Sequence, residues 1–182
     1  MKKLTILSAM IAGLGALFIA NCGGGSGANT GGYQQATDQN ITLKWKVSGA
    51  NLDLKVSAPT TGWVAVGFPP DHNALMELGT NLIIGYVKNG AVSIEDDYVN
   101  IPHFHQSDVV LGGVDNVTNK TGTQSGGFTE IGFTIPLNSG DSYDVPLATG
   151  VTTTVLLAYA LDGTTDFVTH HAVRTSVQII LQ

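Results

Sequence analysis

A single cysteine, Cys22, leaves the 182-residue chain no partner for an internal disulfide. It also rules out covalent haem attachment and every zinc motif that needs paired cysteines. Charge is scarce as well. Asp, Glu, Lys and Arg make up 12% of the residues, about half of the roughly 25% usual in globular proteins, so long salt-laced helices are not expected. All 14 acidic residues lie at or beyond Asp38, where only six of the eight Lys and Arg remain after Lys2 and Lys3. An acidic body of this kind cannot bind nucleic acid by counterion release. No apolar 3.6-residue period of useful length occurs, and neither does a Gly-x-Ser-x-Gly elbow nor a complete phosphate-binding glycine pattern. What is abundant is glycine, 23 residues, together with a hydrophobic share of 43%. That share is ample for a core and too high for a disordered chain.

The N-terminus reads as an address. Met1-Lys2-Lys3 precedes an apolar run from Leu4 to Ala20, the layout of a secretory signal. The sequence Leu17-Phe18-Ile19-Ala20-Asn21-Cys22 resembles a bacterial lipobox, which makes residues 1–21 a lipoprotein signal peptide and Cys22 a lipidated N-terminus anchoring the protein to the membrane. The expected location is the bacterial cell envelope, facing the periplasm or the cell surface. Residues 22–37, rich in Gly, Ser and Asn, read as a flexible tether. The folded domain is expected over residues 38–182.

There the dominant period is two. Ile41, Leu43, Trp45 and Val47 alternate with polar residues, Ser48-Gly49-Ala50-Asn51 turns the chain, and Leu52, Leu54 and Val56 alternate again, which predicts a hairpin. Further strands are predicted over Gly62 to Phe68, Leu82 to Val87, Ala91 to Tyr98, Val109 to Val117, Gly127 to Pro136, Thr152 to Leu161 and Val173 to Leu181, separated by Pro, Gly and Asn breakers. One short helix fits around Asn73 to Leu78. About nine or more short strands with turn signals between them imply an all-β, antiparallel sandwich.

Gly62-Trp63-Val64-Ala65-Val66-Gly67-Phe68, a Pro-rich loop holding Met76, the strand Asn81-Leu82-Ile83-Ile84-Gly85-Tyr86-Val87, the run Glu95-Asp96-Asp97-Tyr98 and a late His170-x-x-x-Arg174 follow one another in that order. This succession resembles the DOMON family, named after the N-terminal region of dopamine beta-monooxygenase and including the cytochrome domain of cellobiose dehydrogenase. The resemblance spans roughly residues 40 to 182. Asn81 stands where the family usually has Asp, and Thr175 where a Gly commonly follows the Arg. The resemblance implies an immunoglobulin-like sandwich that binds b-type haem or a sugar. It makes Met76 and His170 the axial ligands of the haem iron, with His171 as competitor. Arg174 would pair with a propionate, and Trp63 and Phe68 would line the macrocycle's apolar pocket. Met/His ligation suits electron transfer with another redox protein, because the thioether favours Fe(II) and no coordination position stays open.

Other readings of the same residues stand beside this one. Met76 could be a gap-filler. His103 and His105, two apart, share a face if extended and could hold a transition metal with His72 or His171, although a solvated loop after Pro102 is the simpler account. In the pair His170-His171, strand alternation would send the rings to opposite faces. Glu95-Asp96-Asp97 lacks the spacing of a calcium loop and reads as a solvated acidic edge. A non-catalytic module binding carbohydrate through Trp63, Tyr86 or Tyr98, and a surface lipoprotein without cofactor, are the alternatives to haem. In each case the chain reads as a binding or electron-transfer module more than as an enzyme, and the sequence leaves that question open.

Overall fold

The computed structural model describes residues 32–71 and 75–182. The signal peptide, Cys22 and most of the tether lie outside the described residues, as does His72. Among the described residues no helix is long and apolar enough to cross a membrane.

Eleven strands form two antiparallel sheets, so the expected all-β sandwich is the fold. In chain order they are β1 (Gln34–Asp38), β2 (Ile41–Ser48), β3 (Asn51–Ala58), β4 (Val64–Phe68), β5 (Asn81–Lys88), β6 (Ala91–Ile101), β7 (Phe104–Ser107), β8 (Thr118–Ser125), β9 (Phe128–Pro136), β10 (Thr152–Tyr159) and β11 (Val173–Ile180). One sheet has the order β1-β2-β3-β9-β8 and the other β11-β10-β4-β5-β6-β7. The β2–β3 hairpin closes as the alternation predicts, with Ser48 opposite Asn51 and Gly49 at φ 63° in the turn. Ile41, Leu43 and Trp45 on β2, Leu52, Leu54 and Val56 on β3, and Ile131, Phe133 and Ile135 on β9 point inward. They meet Val64, Val66 and Phe68 of β4, Ile83 of β5 and Val155 and Leu157 of β10. Alternation thus places one solid core between the sheets.

Three expectations need correction. The predicted strand from Val109 to Val117 is instead a short helix, α1 (Asp108–Leu111), followed by irregular chain into β8. Gly112 at φ 95° ends the helix, and Val109, Val110 and Val114 face solvent, so these valines have no buried face to join. The predicted helix over Asn73 to Leu78 is not formed at residues 75–78, and its first two residues are not described. The sheet starts earlier than expected, since β1 pairs with β2 from Gln34↔Trp45 to Asp38↔Ile41. The last residues assigned to the tether therefore belong to the sheet.

β4 and β5 are buried on both faces. In an antiparallel sheet one face is commonly solvated and the strand alternates. Here the face turned away from the core is covered too, by the connection between β4 and β5, the β6–β7 turn and the connection between β10 and β11.

Candidate functional site

Trp63, Ala65, Leu82, Ile84 and Ala160 form a second, smaller apolar cluster on the outer face of the six-stranded sheet, with Tyr86, Ala158 and Phe167 packed against it. Above this floor lies a cavity of about 600 Å³, within the ~300–1,000 Å³ typical of small-ligand sites. The β4–β5 connection supplies Leu75 and Met76 to its wall, the β6–β7 hairpin His103, Phe104 and His105, and the β10–β11 connection Phe167 through His171. Arg174, Thr175 and Ser176 of β11 complete it.

The Gly62-Trp63 element holds the wall to the floor. A Cβ on Gly62 would stand 2.3 Å from the Leu161 carbonyl oxygen, so only glycine allows that approach. The Ala160 amide donates to the Trp63 carbonyl at 3.0 Å, and the Thr60 hydroxyl donates to the Ala160 carbonyl at 2.7 Å. The Thr61 amide donates to Asp162 at 2.8 Å. Higher on the wall, the Trp63 indole N–H donates to the Thr169 carbonyl at 3.2 Å. Asp166 accepts from the Val168 and Thr169 amides at 3.0 and 2.7 Å, and these bonds hold its carboxyl below its usual range. A two-residue fingerprint in the sequence is thus the hinge plate of the cavity's largest wall.

Of the residues singled out in the sequence, Met76, His170, His171, Arg174 and Trp63 meet at this cavity, and so do His103 and His105. Phe68 does not. It is 1% exposed in the core between the sheets, because its odd spacing from Trp63 puts the two rings on opposite faces of the strand. The alternation argument for His170 and His171 also fails: both precede β11 in irregular chain, and both line the cavity, ring centroids 6.1 Å apart. His170 is exposed and His171 half-buried. Burial, then the Arg174 and His170 charges, lowers the His171 pKa, which favours the neutral ring, the form that can coordinate a metal. Met76 is half-buried. Arg174 is exposed and forms no ion pair among the described residues.

The acidic run is not a solvated edge. Asp96 and Asp97 are 2% and 1% exposed. His105 donates its Nδ1–H to Asp97 Oδ2 at 2.5 Å, which orients the ring and leaves Nε2 as its second nitrogen. The sequence treated His105 and Asp97 as separate features. Their juxtaposition depends on the β6–β7 register, Asp97 opposite Ser107 and Tyr98 opposite Gln106, which periodicity alone does not reveal. Of the three aromatics considered for sugar stacking, Trp63 and Tyr86 belong to the floor cluster and Tyr98 does not. Trp63 is 5% exposed beneath the cavity, Tyr86 packs on Phe167 at 5.0 Å, and Tyr98 meets Tyr143 edge-on at 5.1 Å.

The family profile described as DOMON domain matches residues 37–160. Among curated proteins no sequence matches the chain. Solved structures that share its fold include two cytochrome domains. The cytochrome b domain of pyranose dehydrogenase from Coprinopsis cinerea superposes with a TM-score of 0.57 at 9% identity, covering 81% of each chain. The cytochrome domain of cellobiose dehydrogenase from Myriococcum thermophilum gives 0.52 at 7% identity, covering 82% of each.

Proposed function

We propose, from the premise that this chain belongs to the DOMON family, that its outer-face cavity binds b-type haem and that the domain passes single electrons to or from another redox protein. One observation carries this reading: a thioether and a half-buried imidazole, supplied by two loops far apart in sequence, line one apolar cavity with an exposed guanidinium at its rim. This donor set fits the group. Met76 and an imidazole of the His170–His171 pair would hold the iron, with burial favouring His171. Arg174 supplies a fork-shaped cation for a carboxylate at the mouth, and Trp63, Leu82 and Ile84 supply the apolar floor. Haem bound there would contribute the Fe(III)/Fe(II) couple, and the soft sulfur of Met76 would raise its potential. The wall of the β10–β11 connection excludes water from the floor.

Haemin added to the purified protein tests this directly. A shifted Soret band and a reduced spectrum of two axial ligands are expected, with Met76→Ala and His171→Ala each changing the spectrum while the fold is retained. No Soret shift, or an unchanged spectrum in both variants, overturns the reading.

A second reading has its own observation. His103, His105, His170 and His171 all line the same cavity, and His105 is oriented by a buried carboxylate; no three of them bring ring nitrogens within 4.8 Å of one another, so a transition metal would take two of these imidazoles. Metal analysis of the haem-free protein separates the two. The Cys22 lipid anchor belongs to the proposal too. It rests on the lipobox-like pattern, and loss of acyl labelling and of membrane association in Cys22→Ser is its test.

A further inference from the structure

Away from the cavity, three carboxylates converge where the edge of the six-stranded sheet meets the chain crossing between the sheets. Asp96 comes from β6, Asp108 from the start of α1 and Asp144 from the connection between β9 and β10. One oxygen of each lies within 4.8 Å of the other two, about twice the 2.3–2.6 Å of a Ca²⁺–oxygen bond. A cation centred among them is within a few tenths of an ångström of calcium–oxygen distance from all three, a gap that carboxylate rotation can close. Asp108 is 0% exposed, and neither of its oxygens has a hydrogen-bond partner. Asp96 accepts one bond, from the Asn116 amide at 2.8 Å, and its other oxygen is buried without one.

A neutral side chain points the same way. Asn81, 3% exposed, donates its amide N–H to Asp144, and its carbonyl oxygen is buried with no partner. Carboxylates nearby show what a satisfied acid looks like in this protein. Asp115 accepts from Lys120 Nζ at 2.5 Å and from the Val117 amide, while Asp141 accepts from the amides of Val114 and Tyr143. Buried charge without partners is costly. Burial and the mutual repulsion of these acids push Asp96 up to about 7 and Asp108 up to about 8.

We propose that Asp96, Asp108 and Asp144, with the Asn81 carbonyl oxygen, form a buried site for a divalent cation of calcium's size. An all-oxygen donor set without Cys or His selects a hard cation over zinc or copper. The cation would join β6, α1 and the crossover between the sheets, a structural role independent of whether haem binds in the cavity.

The experiment uses the whole protein, stripped with EGTA and titrated with CaCl2 by calorimetry and thermal melting. One Ca²⁺ per chain is expected, with Tm raised by about 5 °C or more at saturation. Asp108→Asn and Asp144→Asn each lower the affinity at least about tenfold and lose the shift. Asp115→Asn, whose carboxylate the protein already satisfies, keeps it. Without a cation, Asp108→Asn would merely relieve repulsion and melt at the same temperature with or without Ca²⁺, as would the parent. A parent protein indifferent to Ca²⁺, or Asp108 and Asp144 variants that respond as the parent does, overturns the site.

Discussion

Ile83 and Ile84 are neighbours in β5 and almost equally buried, at 0% and 1% exposure, yet they belong to different worlds. Ile83 faces the core between the sheets, surrounded by side chains on every side. Ile84 faces the other way and forms part of the floor of a 600 Å³ hollow. Burial is therefore not one property in this protein. On one face of the sheet it means close packing, and on the other it means shelter by loops with room left for a guest. The run Leu82-Ile83-Ile84 has no polar residue to break it because both faces are dry.

The sharpest way to break this comparison is to truncate each isoleucine. Ile83→Ala removes three methylene equivalents and leaves a void in a closed core, with an expected loss of about 4 kcal/mol. Ile84→Ala removes the same atoms beside an existing hollow, so the transfer part alone applies, about 2 kcal/mol. Urea unfolding of the ligand-free variants measures both, and equal losses would show that the outer face is packed like the core. Haemin affinity should fall for Ile84→Ala and hold for Ile83→Ala. The hinge plate comes next. Gly62→Ala sets a methyl against the Leu161 carbonyl and should cost about 1–3 kcal/mol, with the β10–β11 connection becoming protease-sensitive before the sheets do.

Acid has the smallest effect. The Asp166 carboxyl is held low by two amides and the Thr169 hydroxyl. Its contribution is present above the unfolded value of about 4 and is lost as pH falls through the lower folded one. Below pH ~4 the Thr169 region should loosen and the Trp63 emission shift to the red. Asp166→Asn should give the same shift at neutral pH.

Most of the core was legible in the sequence, since β2, β3, β4, β5, β9, β10 and β11 each carry alternating or continuous apolar residues. The strands that periodicity missed are β1, β7 and β8, three of the four sheet edges. Gln34-Gln35-Ala36-Thr37-Asp38 and Thr118-Asn119-Lys120-Thr121-Gly122-Thr123-Gln124-Ser125 are polar and mostly exposed, and a strand held by backbone pairing leaves no hydrophobic trace. Polar edges of this kind also resist pairing with other chains. The valines at 109, 110 and 114 misled in the opposite sense, being apolar but exposed. At the site, the residue types were readable and their convergence was not. Met76 and the His170–His171 pair sit on two loops, and His103 and His105 on the β6–β7 hairpin; no period relates positions on such separate parts of the chain. The acidic triad is less legible still, because Asp96, Asp108 and Asp144 share no motif and meet only through the sandwich.

The covering wall is pinned at its two feet, by the Ala160 amide on Trp63 and the Ala172 amide on the Tyr159 carbonyl at 2.8 Å. Between these feet it is held only at a few points, by the Trp63 indole on the Thr169 carbonyl, by Thr61 on Asp162 and by Phe167 on Tyr86, while Leu161 and Val168 face solvent. Such a segment can lift as a unit while both sheets stay paired, an opening of much lower free energy than global unfolding. A planar guest bound beneath it would then enter and leave through that opening. Residence time would be set by how often residues 161–171 let go, and their amide hydrogens should exchange far sooner than those of the strands beneath.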